Sequence, residues 1–234
     1  MANPYFRFKQ FTIRHDRCAM KVGTDGVLLG AWAPVKEGMR VLDVGAGSGL
    51  IALMLAQRGA ASVIAVELDE EAAAQAAENV AESPFAGRVE VVQSDILHFQ
   101  PEQRFDLIVS NPPYFDLSLQ SPDKQRTLAR HTDSLSYDDL LTVSARLLND
   151  GGLISLVVPV DVEQKLDAIA LSTALFPVRK TFVIPKPGAA PKRLLVNYSN
   201  VQCELQQDEL LVELARHHYS EEFISLTREF YLKM

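Results

Sequence analysis

Three glycines, Gly45, Gly47 and Gly49, lie in the run DVGAGSG at 43–49, directly after the apolar stretch RVLDVG at 40–45. Glycines at this spacing permit a tight turn and let a ligand approach the backbone, with a helix beginning near Gly49 to point its N–H groups at that ligand. Alone, such a turn serves a nucleotide or only tight packing. Here the pattern is G-x-G-x-G preceded by Asp43, not the G-x-G-x-x-G of dinucleotide sites. Two further carboxylates end the next two apolar runs. Glu67 closes SVIAVE and is suited to accept two ribose hydroxyl protons, while Asp95 closes VEVVQSD and is suited to accept an adenine amino proton, or to act as a local cap. Asp69, in LDEEA, reads as the N-cap of a helix. A fourth apolar run, FDLIVS at 105–110, stops at Asn111-Pro112-Pro113-Tyr114. Consecutive prolines end a strand, and the residues preceding them are held extended. The product is a rigid stub with an amide on one side and an aromatic ring on the other.

The elements that must carry these residues alternate. Strands are predicted at 40–45, 62–67, 89–95, 105–110 and 151–159, with helices at 49–58, 69–82 and 138–148 between them. β-Branched runs separated by Ala/Leu/Glu-rich spans indicate βαβ units around a parallel sheet. After a helical stretch near 161–175, VRKTFVIPK and RLLVNYSNV flank the turn-rich PGAAP and read as a terminal hairpin. Residues 1–38 form an N-terminal extension to a core spanning 39–234, a single domain overall. The 234 residues suffice for one large core. No apolar run is long enough to span a membrane, and MANPYFRFKQ is not a signal peptide. Cys18 and Cys203 form no metal or redox motif, which suits a reducing, cytoplasmic setting, and no metal site is expected. The pair His217-His218 is expected on a helix surface.

In order of motifs the chain resembles class I S-adenosylmethionine-dependent methyltransferases from about residue 20 to 200. The resemblance implies an α/β Rossmann-like fold, with a doubly wound, mostly parallel seven-stranded sheet and a C-terminal antiparallel hairpin strand. It implies S-adenosyl-L-methionine as cofactor, and a target atom held by the loop after the fourth strand. An exocyclic amino nitrogen is a poor nucleophile because its lone pair is delocalised into the ring. Acceptors on its two N–H groups pull it toward tetrahedral geometry. The Asn111 side-chain oxygen and the Pro112 carbonyl are the candidate acceptors, fixed by the prolines, and Tyr114 is the candidate stacking face.

The stub does not name the substrate, since adenine N6, guanine N2 of rRNA and a protein glutamine all present a planar nitrogen with two N–H groups. A non-catalytic Rossmann-like binding module is a more remote reading, one that has no need of the stub. Glutamine methyltransferases of release factors carry a long helical domain ahead of the glycine motif, for which the 42 residues before Asp43 leave little room. The segment FRFKQFTIRHDRCAMKVGTDGVLLGAWA, with NPPYF, RTLARH and YSEEFISLTREFYLKM, is similar to the bacterial tRNA1(Val) adenine-37 N6-methyltransferases over nearly the whole chain. That resemblance implies a tRNA substrate, and the protein is expected to act as a monomer. It sets KVGTDG at 21–26 beside the methionine end of the cofactor, with Lys21 and Thr24 the polar candidates; Thr24 and Asp25 equally suit a helix cap. His15 and Arg17 either contact substrate or cover packing surface. Arg126 and Arg130 either reach phosphate or form loop ion pairs.

The net charge of −7 argues against a general nucleic-acid binder. The charge is segregated, however. No Asp or Glu lies between Asp167 and Glu204, a stretch holding Arg179, Lys180, Lys186, Lys192 and Arg193. If VRKTFVIPK runs parallel to the core, the loop PKPGAAPKR stands at the ligand-binding edge of the sheet, with Lys186, Lys192 and Arg193 beside the site mouth. Solvated faces are the plain alternative.

Overall fold

The computed structural model describes residues 3–113, 135–216 and 218–233. Tyr114, Arg126, Arg130 and His217 lie outside the described residues. A hairpin of β1 (Tyr5–Arg7) and β2 (Thr12–Arg14) precedes α1 (Thr24–Trp32). The alternating core comes next: β3 (Arg40–Val44), α2 (Leu50–Gln57), β4 (Ser62–Glu67), α3 (Glu70–Ala81), β5 (Val89–Gln93) and β6 (Phe105–Ser110). Then come α4 (Tyr137–Leu147), β7 (Leu148–Pro159), a 3₁₀ turn at Val160–Val162, α5 (Glu163–Ser172), β8 (Phe176–Ile184) and β9 (Arg193–Ser199). The chain ends with β10 (Gln206–Leu211), β11 (Glu213–Ala215), β12 (His218–Tyr219) and α6 (Glu221–Thr227). Among the described residues no helix is long and apolar enough to cross a membrane.

Among the described residues the main sheet has eight strands in the order β10-β8-β9-β7-β6-β3-β4-β5, parallel except for β9. Both faces are covered, which explains the nearly continuous apolar strands. Alternate residues serve opposite cores: Val41, Leu107 and Val157 face α1 and α2, while Leu42, Ile108 and Leu156 face α4 and α5. On the first face α1 meets α2 closely. A Cβ at Gly30 would stand 2.7 Å from Met54 Sδ, so glycine is what lets these two helices approach.

The sequence reading gives seven strands; the structure adds β10, parallel to β8. Its first four residues, QQDE, are exposed and only Leu210 is buried, so the run QQDELL lacks the apolar pattern of a strand. The edge is held by register and by Asp208, which accepts from Arg179 Nη2 at 2.9 Å and from the Thr181 hydroxyl. The β8–β9 hairpin is therefore not terminal. A second correction concerns the histidine pair: His218 lies on the short strand β12, not on a helix, because pairing of β12 with β11 takes that segment.

The N-terminal extension is clasped by α3. Two buried amides four residues apart on one helix face do this. Asn79 accepts from Arg14 N at 2.9 Å and donates to Arg14 O and to Ser48 O. Gln75 accepts from Arg17 N and donates to Asp16 Oδ1 at 2.7 Å. Phe6 and Phe8 pack with Tyr231, Phe11 packs on Phe8, and Lys9 N donates to Phe230 O, so the N- and C-terminal segments close on each other.

Candidate active site

The glycine turn leaves β3 at the carboxyl edge of the sheet. Gly45 and Gly47 have φ of 70° and 53°, in the left-handed region that disfavours side chains. A Cβ at either position would meet nothing within 4 Å, so the bare backbone opens on the space beside it. Gly49, also left-handed, caps α2 and packs on Ala76; it shapes the turn from behind and does not line the cavities.

Glu67 is fixed by this turn. Its Oε2 accepts from Gly47 N at 2.8 Å and its Oε1 from Asp69 N at 2.9 Å. A carboxylate has about four lone-pair sites, so two remain for a ligand. Asp69 is the N-cap of α3, its side chain accepting from Ala72 N at 2.8 Å. Asp95 also serves locally, accepting from Leu97 N at 2.9 Å and pairing with His98 Nδ1 at 3.2 Å. Glu67, Asp95 and Gly45 share the wall of a cavity of about 360 Å³ with Val44, Leu68 and Leu97. Exposed Leu68 and Leu97 supply its apolar lips. The sequence reading did not mark these two; the available signal was a leucine one or two places after each strand-ending acid.

A second cavity, of about 130 Å³, opens on the other side of Gly45, and Lys21, Asp25, Gly47, Ser48 and Asn111 stand on its wall. Thus Lys21 from the extension, the glycine turn and the stub after β6 meet at one place. Ser110 Oγ donates to Val44 O at 2.8 Å, which ties the end of β6 to the end of β3 and sets Asn111 against the turn. His15 positions Lys21. Its Nδ1 accepts from Val22 N at 3.2 Å, which leaves Nε2 to donate to Asn3 O at 3.0 Å. His15 is buried, and the partly exposed Arg17 pairs with Glu78.

Asp43 lies beneath the turn and is fully buried. Its Oδ2 accepts from Ala52 N at 3.0 Å, and its Oδ1 has no partner among the described residues. Burial pushes its carboxyl up to about 7, and the nearby Glu67 charge adds to the rise. Thr24 does not line the second cavity, and neither it nor Asp25 caps α1. The N-cap is Gly23, which has no side chain to offer, and within the first turn the Asp25 carboxylate faces Arg193 Nε at 2.9 Å.

The β8–β9 loop, residues 185–192, does emerge at the carboxyl edge, since β8 is parallel to the core and β9 returns antiparallel. The surrounding cations are mostly engaged. Arg179 pairs with Asp208 and lies over Trp32, buried Lys180 pairs with Glu163 and Asp167, and Arg193 pairs with Asp25. Lys186 and Lys192 are exposed, and among the described residues no carboxylate lies in ion-pair range of either.

A nucleoside-sized cavity between two acids, a bare glycine turn and a polar pocket reached by an amide together fit S-adenosylmethionine. Glu67 and Asp95 suit the nucleoside; the turn, Lys21 and the N-terminal end of α2 suit the methionyl part. Comparison with known proteins agrees. A model of the methyltransferase small domain matches residues 22–179. A Bacteroides fragilis protein named tRNA1(Val) (adenine(37)-N6)-methyltransferase is 54% identical, with 100% of each chain covered. One of the same name from Mannheimia succiniciproducens is 47% identical over 97% of this chain and 94% of its own. Among solved structures, a predicted O-methyltransferase from Agrobacterium tumefaciens superposes with a TM-score of 0.69 at 23% identity, covering 88% of this chain and 96% of that one. A Thermus thermophilus 16S rRNA N2 G1207 methyltransferase, solved with its cofactor and guanosine, gives 0.58 at 22% identity over 84% of this chain and 50% of its own. The fold is therefore that of Rossmann-like methyltransferases, and the chain belongs to the methyltransferase small-domain family and, by full-length identity, to its tRNA1(Val) (adenine(37)-N6)-methyltransferase members.

Proposed function

We infer that this protein methylates N6 of an adenine in tRNA, position 37 of tRNA1(Val), and that it acts in the cytoplasm as a monomer. The observation that carries this reading is the meeting of Asn111 with the glycine turn at one cavity. When bound, S-adenosylmethionine supplies a methyl carbon made electrophilic by a positively charged sulfur. Glu67 accepts the ribose hydroxyls, Asp95 the adenine amino group, and the turn with Lys21 takes the amino-acid end.

The chain's own work on the substrate is polarisation. Asn111 Oδ1 accepts one N–H of the adenine amino group and the Pro112 carbonyl accepts the other. Both acceptors are preorganised, so no reorganisation is needed as positive charge develops on the nitrogen. No strong base is required, because the nitrogen becomes acidic once alkylated and its proton passes to water. Tyr114 is the stacking partner in this reading. An anticodon-loop adenine is unpaired and costs little to extrude. Lys186 and Lys192 at the same edge meet the RNA backbone, as do Arg126 and Arg130 after the stub. Free Cys18 and Cys203 suit a reducing compartment.

The test uses unmodified tRNA1(Val) transcript and labelled cofactor, with nucleoside mass spectrometry to identify the product. Asn111→Ala should lower turnover by about two to three decades, the scale of losing one preorganised polar group, with cofactor affinity little changed. Near wild-type turnover of that variant would overturn the mechanism.

A further inference from the structure

A third cavity lies between α1, the β8–β9 loop and the C-terminal segment, and of the residues on its wall only Lys192 has a role above, at the RNA backbone. Its volume, about 360 Å³, equals that of the cavity between Glu67 and Asp95. Its wall combines aromatic rings, cations and carboxylates: Tyr219, Phe223 and Tyr231, Lys192 and Arg193, Asp25 and Glu213. Asp25 also stands on the wall of the Asn111 cavity, so only the start of α1 separates the two.

The composition is that of a base-binding pocket. Tyr219 is half-buried and stacked on Phe223 at 5.1 Å between centroids, so its ring is held in place before any ligand arrives. Glu213 sits directly across from Tyr219 in the β11–β12 register, and both line the cavity, so an acceptor and a ring share its wall. Lys192 is exposed at the rim, where a phosphate would lie. A ring platform, an acceptor for an amino edge and a rim cation are the elements by which single-stranded RNA is held.

We propose that this cavity binds a second base of the RNA, from a nucleotide flanking the methylated adenine, with its face on Tyr219, an amino edge toward Glu213 and its phosphate at Lys192. The inference rests on the tRNA reading above. It assigns β10 through α6 a purpose that cofactor binding and methyl transfer do not require: selecting the target by a neighbour as well as by the target itself.

The experiment uses the full chain and an anticodon stem-loop of tRNA1(Val), with the target adenine retained and each flanking position in turn made abasic. At one position the wild-type KM should rise by about tenfold, the scale of one lost stacking contact. Tyr219→Leu should raise KM on the intact loop by a similar factor and add nothing further on that abasic loop. Tyr219→Phe should restore the wild-type value. As a readout independent of any variant, 2-aminopurine at that position should be quenched when the wild-type protein binds. The proposal is overturned if no abasic position raises KM, if the two losses multiply, or if 2-aminopurine is unquenched at every flanking position. Absence of methylation of the intact loop by the wild type would instead sink the tRNA reading, and the quenching titration would still report on the cavity.

Discussion

Glu67 offers the sharpest test of the cofactor assignment, because its geometry dictates what each substitution removes. Two of its lone-pair sites are spent on Gly47 N and Asp69 N, at 2.8 and 2.9 Å. The other two are those assigned to the ribose diol. Glu67→Ala deletes both diol bonds, each worth about 1.5–3 kcal/mol to a charged acceptor. The freed Gly47 amide lies at the wall of the second cavity and the Asp69 amide at the exposed surface, so both regain water and add little cost. Counting only one bond's worth as irrecoverable, affinity should fall by at least about one decade, since about 1.4 kcal/mol is tenfold.

Glu67→Gln separates charge from shape. Its amide NH₂ must face one of the two backbone N–H donors, so one contact becomes donor against donor while the other survives. Its affinity should lie between those of wild type and Glu67→Ala. The assay is calorimetric titration of S-adenosylmethionine or S-adenosylhomocysteine, with ligand-induced thermal stabilisation as a second measure. Unchanged affinity for Glu67→Ala would show that another group holds the nucleoside, and the reading of the cavity of about 360 Å³ beside it would fail with it.

Three further outcomes are expected. Burial raises the Asp43 carboxyl from 3.8 to about 7, so its contribution to stability is full below about pH 4 and is lost as pH rises through about 7; Asp43→Asn should remove that decline, seen as a flatter melting temperature across the window. Gly30→Ala places a methyl 2.7 Å from Met54 Sδ and 3.0 Å from Met54 Cβ. It should cost about 1–3 kcal/mol in denaturant unfolding at unchanged slope, the usual penalty of overpacking. Replacing Lys186 and Lys192 together by Ala should weaken tRNA binding and flatten the log–log salt slope by at most about 2; parallel lines of equal affinity would move the docking surface elsewhere.

Much of this molecule was legible because its catalytic edge is built from short, local rules. A strand ending in glycine, a strand ending in an acid and a strand ending in two prolines each announce their own geometry, and Asp69 announces its helix. The pairing of β8 with β9 was readable from a turn-rich loop between two apolar runs, whereas the direction of β8 relative to the core entered only as a condition. What local rules did not show was β10. An edge strand with one face in water and few apolar residues carries no periodic signal, and its place depends on Asp208 reaching residues about thirty positions earlier. The capping reading of Thr24 and Asp25 failed for a similar reason. The start of α1 reads as a capping sequence until Arg193, far along the chain, claims Asp25.

Charge was the least legible property, and the reason is physical. An acid-free stretch in sequence is not an acid-free surface in space. Three of the five cations counted there, Arg179, Lys180 and Arg193, meet carboxylates that come from other segments. Among the described residues the basic face expected at the site mouth thus shrinks to the two lysines of one loop. A protein of net charge −7 with so small a basic patch cannot rely on long-range attraction to a polyanion. Its grip on RNA must come from close contacts: stacking, amino-edge acceptors and a few phosphates. That is the character of the cavity around Tyr219, Glu213 and Lys192. It also means that salt should weaken binding far less than it does for proteins that neutralise many phosphates.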